Sequence, residues 1–449
     1  MIVLWTDALI FLLIAMTIGL GVIIRGKEHF RRPLRQIAAS HSGMVSLTVL
    51  LFFIVIGLAD SIHFKASGAD GNDVISVLDT LAAPMRRHGE KTYSAPFAAF
   101  GHGKEMVTAA DGTARWDYPR LQYGGAHLSD PGTQLAADIL KKGSYGLFQG
   151  ASLCAFFWLM LWGIYAARQK PFLNGSAPAK SALAVGFAVV TIGYALCYLS
   201  LYYHVLGTDK VGEDVFYQTI KSIRTGLVIG TLTTLIMLPM AILFGILAGF
   251  FQGWIDDLIQ YIYTTLNSIP GVLLIAASIL MVQVYMANHE EAFTSVVVRA
   301  DMRLLFLCMI LGVTSWTGLC RLLRAETLKL REMEYVQAAR ALGVKQGAIL
   351  TQHILPNVMH IVLISVVLDF SALVLAEAVL SYINIGVDPT TYSWGNMING
   401  ARLEMAREPV VWWSLTAAFV FMFILVLAAN LFADVVQDAF DPRRSGNEV

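Results

Sequence analysis

The chain is poor in charge. Only 14% of its 449 residues are Asp, Glu, Lys or Arg, against 56% hydrophobic, whereas soluble proteins carry about a quarter charged residues. Mean hydropathy is +0.62, and several apolar runs approach the ~20 residues that cross a bilayer, which excludes a soluble globular domain. Acidic and basic residues balance at 32 each, so no net field points to nucleic acid. Cysteine is scarce. Cys154, Cys197, Cys308 and Cys320 each sit inside an apolar run, with neither zinc-ligand spacing nor a disulfide framework, and read as small packing residues. The ten histidines lack H-E-x-x-H or comparable metal spacing, and His63, His88, His102 and His127 read as loop residues of one polar segment. No G-x-x-x-x-G-K-[ST] phosphate loop is present, and no Ser/His/Asp or Cys/His set points to catalysis. Any nucleotide-driven step, with its ATP and Mg, belongs to another subunit; the chain is expected to bind no cofactor.

What is present is a succession of apolar runs. They predict an all-α polytopic membrane protein with nine spans, at 4–24, 43–59, 147–167, 181–203, 225–251, 258–286, 302–320, 358–381 and 411–433. Helices are the default because backbone groups in lipid must be satisfied within the segment. The first run lacks a basic leader and is followed by Arg25, Lys27, Arg31, Arg32 and Arg35, the order expected of a signal anchor with its N-terminus outside. Arg168, Lys170 and Lys180, then Arg321, Arg324, Lys329, Arg331, Arg340 and Lys345, and finally Arg443 and Arg444 mark later basic segments. With nine spans and an outside N-terminus all of them face the cytoplasm, as does the C-terminus.

This topology divides the chain into two N-terminal helices within 1–59, a polar outer insert at 60–146, a third helix and linker at 147–180, and a six-helix region at 181–449. In the insert, 74–85 and 134–142 predict short helices and Asp130-Pro131-Gly132 a turn.

Residues 334–356 read EYVQAARALGVKQGAILTQHILP. Ala338, Ala339 and Ala341 favour a helix, Gly343 ends it, and a second short run is expected to stop at Pro356, which disfavours helix at Leu355. The result is a helix–turn–helix across the membrane face, with Tyr335 and Val336 as an apolar anchor for a partner. This stretch resembles the EAA loop of ABC importer permeases, with Gln337, Ala338 and Ala339 at the triplet, Gly343 after it, and Leu355-Pro356 closing it; Gln337 replaces the usual Glu, and Glu334 lies one turn earlier. Three further segments, and the C-terminal NLFADVVQDAFDPR, resemble the dipeptide/oligopeptide/nickel permeases. They are HVLGTDKVGED at 204–214, DDLIQYIYTTLNSIPG at 256–271 and EAVLSYINIGVDPTTYSWGNMIN at 377–399. The likeness covers about 190–444.

The resemblance implies a type I ABC importer transmembrane fold with a six-helix core, here extended by three N-terminal transmembrane helices and the insert. It implies a second permease subunit, cytoplasmic ABC ATPase subunits, a periplasmic solute-binding protein, a small peptide substrate, and a bacterial inner membrane as the setting. The loop 321–357 would couple to the ATPase through Glu334, Tyr335, Gln337, Ala338, Ala339, Gly343, Leu355 and Pro356. His204, Gly207, Thr208, Asp209, Asp214, Asp388 and Trp394 are candidates for the binding-protein face or outer gate. Asp209, Asp214 and Asp388 are expected to be exposed, and Gly207, Gly212, Gly386, Gly395 and Gly400 to form tight turns. Trp394 reads either as a headgroup-level anchor or as a gate plug. Ser268, Pro270, Asp369 and Glu377 are candidates for the translocation path, against a static kink at Pro270 and structural hydrogen bonding by Asp369. Asp7 and Asp434 read as interfacial. Two other classes fit less of the sequence. One is an ion-coupled secondary transporter using Asp369 or Glu377; the other is a membrane scaffold built around the insert.

Overall fold

The computed structural model describes residues 3–24, 28–65, 74–108, 114–167, 177–293 and 295–440. The basic residues Arg25, Lys27, Arg168, Lys170, Arg443 and Arg444, on which part of the expected orientation rests, lie outside them. In chain order the helices are α1 Trp5–Ile24, α2 Glu28–Ala39, α3 His41–Ser61, α4 Val77–Leu81, α5 Ala83–Arg87, α6 Pro131–Ala167, α7 Ala177–Leu199 and α8 Val215–Phe251. They continue with α9 Gly253–Ser268, α10 Gly271–Asn288, α11 Val296–Arg331, α12 Glu334–Ala341, α13 Gln346–Ile349, α14 Leu355–Tyr382, α15 Trp394–Glu404 and α16 Trp413–Phe440. Two small antiparallel sheets occupy the insert: β1 His63–Lys65 with β2 Val74–Ser76, and β3 Glu105–Thr108 with β4 Ala114–Asp117.

Among the described residues, six helical segments are long and apolar enough to cross a membrane by length and composition: His41–Ser61, Ala177–Leu199, Val215–Phe251, Gly271–Asn288, Gln346–Tyr382 and Trp413–Phe440. The other three expected spans, 4–24, 147–167 and 302–320, fall within helices α1, α6 and α11 but outside that set. In α11, Arg299, Asp301 and Arg303 near the start and Arg321 and Arg324 near the end shorten the uncharged stretch.

Several local expectations are corrected. The expected span 258–286 is broken at Pro270, as that proline leads one to expect: it lacks an N–H, α9 ends at the extended Ile269, and α10 starts at Gly271. Residues 134–142 are the first turns of the 37-residue α6. Its start is capped by Asp130, whose carboxylate accepts from Gly132 N (3.2 Å) and Thr133 Oγ1 (2.8 Å), so Asp130-Pro131-Gly132 is a helix start and not a free turn. Residues 74–76 are a strand, and α4 begins with a Ser76/Asp79 capping box. Gly395 and Gly400 lie inside α15, whereas Gly207 (φ +71°) and Gly212 (φ +82°) do sit in the left-handed region that tight turns require.

The chain forms two compact units: residues 1–2, 36–225 and 392–428 in the first, and 3–35, 226–391 and 429–449 in the second. They cut across the sequence division at 180/181, since α1 falls in the second unit. In the first, α6 packs antiparallel on α7 through Gly146 and Gly150. A Cβ at Gly146 would stand 3.1 Å from Ala195 Cα, and one at Gly150 3.1 Å from the Thr191 carbonyl. In the second, α8 meets α11 through the same spacing, Gly245 and Gly249. A Cβ at Gly249 would lie 2.6 Å from Thr327 Cβ and 2.7 Å from the Arg324 carbonyl. Such pairs let helix backbones approach in lipid, where packing replaces the hydrophobic drive. The start of α1 is held in the same unit by Asp301, which accepts from Trp5 N (2.9 Å), Thr6 N and Thr6 Oγ1. Asp7, expected at the interface, is fully buried there.

Gly249→Val should force α8 off α11 and destabilise the protein by about 1–3 kcal/mol through overpacking. Gly318→Ala, on α11 with nothing near its Cβ direction, serves as the control. Thermal unfolding in detergent checks this, and equal melting of the two variants would refute the close-approach account.

Candidate functional site

The segment after α11 is built from alternating buried and exposed positions. In α12, Val336 is fully buried and Ala339 nearly so, both in one cluster with Phe250, Leu323, Ile349, Ile354 and Val358. Val336 thus anchors inwards, correcting its expected role as a partner contact. Ala339 lies where a larger side chain would lift α12 from that cluster. The opposite face shows Glu334, Gln337, Ala338 and Pro356 to solvent, with Met333, Tyr335, Leu342 and Val344 as exposed apolar groups; Leu342 is 83% exposed.

The turn is closed by backbone chemistry. Gly343 takes φ +74°, Val344 N donates to Ala339 O (3.1 Å) and Gly343 N to Arg340 O (3.0 Å), the paired bonds of a Schellman motif. Ties then run outwards. Arg340 lies 4.6 Å over the Phe250 ring, Arg331 Nη1 donates to the Phe250 carbonyl (3.1 Å), and Asn357 Nδ2 donates to Tyr335 Oη (3.2 Å). A cavity of about 410 Å³ opens here, lined by Phe250, Phe251, Arg331, Arg340, Val344, Gln346 and Ile349. Beneath, Arg324 grips Asp256 through two bonds of 2.6 Å, which hold the Asp256 carboxyl below its ordinary value.

Pro356 does not stop the second run. Helix continues from Gln346 to Tyr382 through a π-turn at Leu350–Ile354, and Leu355 is helical. The wider turn re-registers the ladder where Pro lacks a donor and its ring would clash. Half-buried Leu355 is part of this rod. Asp369 and Glu377 sit further along it, in the helical row Val362, Val366, Asp369, Leu373, Glu377. Glu377 is buried and accepts from Ser381 Oγ (2.7 Å), and Asp369 is half-buried. Ser268 and Pro270 are exposed at the α9–α10 break.

The 204–214 loop lies in the other unit, and its side chains turn inwards. His204, Thr208 and Asp214 are buried, so Asp214 is not the exposed acid expected. His204 Nδ1 pairs with Asp214 (2.8 Å) and its Nε2 lies 3.4 Å from Glu90 of the insert. Burial favours the neutral imidazole, but the two carboxylates outweigh it and push the His204 pKa up to about 9. Glu90 also accepts from the backbone N–H of Gln122, Tyr123 and Gly124. Asp209 accepts from Val211 N, Glu213 N and Gln218 Nε2. Lys221 of α8 lies between Asp60 (3.0 Å) and Asp79 (2.7 Å), and Asp79 also accepts from Tyr217 Oη (2.6 Å). Burial alone would raise the Asp79 pKa, but Lys221 and these hydrogen bonds bring it below its ordinary value. Trp394 is buried and donates to the Thr219 carbonyl (3.1 Å), which removes the headgroup-anchor reading. In the second unit, Asp388 is largely covered and accepts from Arg303 (3.5 Å) and Thr390 Oγ1 (2.7 Å).

Sequence reading missed Asp60, Asp79, Glu90, Lys221 and the Asp256–Arg324 pair. The available signal was charge beside apolar runs: Lys221 and Arg224 precede the run at 225, and Asp60 closes the run at 59. The insert histidines lie apart from one another: His88 stacks on Tyr123, His127 meets Asp138, Lys142 and Tyr203, and His102 packs edge-on against Trp413 with its Nε2 3.3 Å from the Pro409 carbonyl. Among the described residues no group of three His, Cys, Asp or Glu is placed to hold a metal.

Residues 241–446 match the family model described as "Binding-protein-dependent transport system inner membrane component". The chain is 29% identical over 242 residues to the dipeptide transport system permease protein DppC of Lactococcus lactis subsp. cremoris, covering 54% of this chain and 64% of that protein. It is 31% identical over 242 residues to the glutathione transport system permease protein GsiD of Pectobacterium atrosepticum, covering 54% and 73%. It is 31% identical over 239 residues to the oligopeptide transport system permease protein OppC of Mycobacterium tuberculosis, covering 53% and 76%.

The folded His204 pKa exceeds its ordinary 6.5. Its contribution to stability is therefore full below about pH 6.5 and is lost as pH rises through about 9, at most about 3 kcal/mol. Melting temperature should fall between pH 7 and pH 10 more steeply in the wild type than in His204→Gln, and parallel profiles would count against the pairing.

Proposed function

The chain belongs to the family of binding-protein-dependent transport system inner membrane components, and from that premise we propose that it is the permease subunit of an ATP-driven importer of short peptides. The observation that carries the reading is the surface of residues 333–344, where exposed Met333, Tyr335, Leu342 and Val344 flank a Gly-closed turn whose buried side is packed on α8, α11 and α14. Exposed apolar groups on a rigidly backed short helix are what a soluble partner uses as anchors. The partner is a cytoplasmic ATPase, which holds the ATP and Mg and contacts Glu334, Tyr335, Gln337, Ala338 and Gly343. Ala339 and Leu355 act from within, through packing, and exposed Pro356 acts through the course of the helix it stands in.

ATPase closure displaces α12. Val336 and Ala339 pass that displacement to the α8–α11 packing, and Tyr335 passes it to Asn357 at the head of α14. Such motion drives alternating access only if the ATPase binds the two states differently. A second permease subunit completes the path, lined on this chain by Asp369, Glu377, Ser268 and Pro270. The relatives named for dipeptide, glutathione and oligopeptide transport share short peptides as substrate class. The N-terminus faces the periplasm and the C-terminus the cytoplasm, as the basic loops favour.

Gly343→Pro removes the positive φ and the N–H bonded to Arg340. It should leave membrane insertion intact and abolish ATP-coupled peptide uptake in proteoliposomes. Normal uptake would overturn the docking assignment.

The insert extends the binding-protein face. Its β3–β4 hairpin presents Met106 and Trp116 as cross-strand partners, 62% and 68% exposed, the residue types enriched in interfaces. Excising the insert would take Glu90 from His204 and Asp79 from Lys221, so a point variant is the cleaner test. Trp116→Asp should weaken binding-protein affinity about tenfold or more with the permease complex still assembled, and unchanged affinity would remove the hairpin from that face.

A further inference from the structure

The three helices α3, α6 and α7 border an open apolar groove of about 580 Å³, inside the ~300–1,000 Å³ range of small-molecule sites. It exists because the facing residues are small. Ala182, Gly186 and Thr48 do not fill the space that Phe157 and Trp158 of α6 close from the other side. Helices α3 and α7 run parallel here: His41 Nδ1 lies 3.2 Å from Ser181 Oγ, and further along a Cβ at Gly186 would meet Thr48 Cγ2 and one at Gly193 would meet Phe52.

Two helical rows line this groove, and each ends in a cationic or titratable group. Met44 and Thr48 continue back to His41, and Leu183 and Phe187 continue back to Lys180, at the i, i+3, i+7 spacing of one helix face. Lys180 and His41 are exposed, and Lys180 makes no ion pair among the described residues. No acid occurs in 40–59, 144–167 or 177–199; Asp60 of α3 and Asp138 of α6 lie at the opposite end of these helices from Lys180 and His41, so no acid on the groove-lining stretches opposes a negative ligand. The cavity wall itself is almost wholly apolar, so a soluble anion gains nothing from it. A ligand that satisfies both ends is amphipathic, with an alkyl body and an anionic head.

We propose that this groove holds one acyl chain of an anionic phospholipid, its phosphate seated against Lys180 and His41. Basic groups at the mouth of clefts between transmembrane helices are the recognised chemistry for anionic headgroups. The first turns of α3 and α7 lie at the same end, and their dipoles add in the same sense. The site goes beyond the transport reading and is independent of it. It belongs to the helices that precede the family match, and it gives them a ligand whatever solute the permease moves.

Trp158 lines the cavity and provides the reporter. The assembled permease complex is placed in nanodiscs containing dibrominated phosphatidylglycerol or, at the same mole fraction, dibrominated phosphatidylcholine. The Trp158 signal is taken as wild type minus Trp158→Phe. Phosphatidylglycerol should quench that signal saturably at low mole fraction, and phosphatidylcholine several-fold less well. Lys180→Gln should weaken the phosphatidylglycerol half-saturation about fivefold without affecting assembly. Gly186→Leu, which fills the groove, should abolish the quenching. Lys180→Gln stands on its own if Gly186→Leu fails to fold. Equal quenching by both lipids with no effect of Lys180→Gln would mean annular lipid only and overturn the proposal. So would cross-linking of Phe187→Cys to a helix of another subunit, because the groove would then be a subunit seat.

Discussion

Close helix approach through glycine is the constraint from which the second unit is built. In a bilayer, two apolar helices gain little by leaving lipid for each other, because acyl chains are as apolar as leucine. What they gain is dispersion contact, which is lost steeply over fractions of an ångström. Gly245 and Gly249 bring the α8 backbone against Leu323, Arg324 and Thr327 of α11. That contact fixes the last turns of α11, and α12 begins only three residues after α11 ends. The position of the exposed 333–344 segment is therefore a consequence of two missing side chains on α8. The Asp256–Arg324 pair reinforces the same turn of α11 from α9.

Charge does the corresponding work in the first unit. Lys221 and His204 are nearly buried, and a buried cation left alone is strongly destabilising. Asp60, Asp79, Asp214 and Glu90 supply the compensation, and Asp79 and Glu90 come from the insert. The insert is thus bound to the 204–214 loop by electrostatic necessity and not merely tethered between two helices. The same fact explains why the acids of that loop face inwards: their task is to hold the loop, which leaves the hairpin with Met106 and Trp116 as the more exposed surface.

Much of the helical layout was legible, because apolar runs of bilayer length have few alternative folds. The turn at Gly343 was legible too, since that glycine stands where only a left-handed residue closes a Schellman motif. Three kinds of feature were not. Burial of Val336 and Asp214 depends on partners remote in sequence. Glycine spacing carries meaning only once the facing helix is known, as with Gly146 and Gly150 against Thr191 and Ala195. Pro356 misled for a local reason: a proline rule written for the regular ladder does not anticipate a π-turn that moves the clashing carbonyl away. Pro270, preceded by the extended Ile269, obeyed the ordinary rule and broke its helix.

That difference between two prolines bears on how force travels. Had Pro356 ended the helix, the segment 333–344 would meet α14 through a flexible joint, and displacement there would dissipate in backbone torsion. Instead the helix is unbroken from Gln346 to Tyr382, and at 1.5 Å rise per residue Asp369 lies about 35 Å along the same rod from Gln346. A tilt imposed near Tyr335 and Asn357 must reappear at Asp369 and Glu377 unless it is absorbed on the way. The π-turn at Leu350–Ile354 is the one stretch of this rod where the regular ladder is already altered, so it is where bending costs least. The geometry thus joins a continuous helix to a single compliant point beside the 333–344 segment, so a displacement proposed to enter there would bend the rod at Leu350–Ile354 before it unfolded any of it.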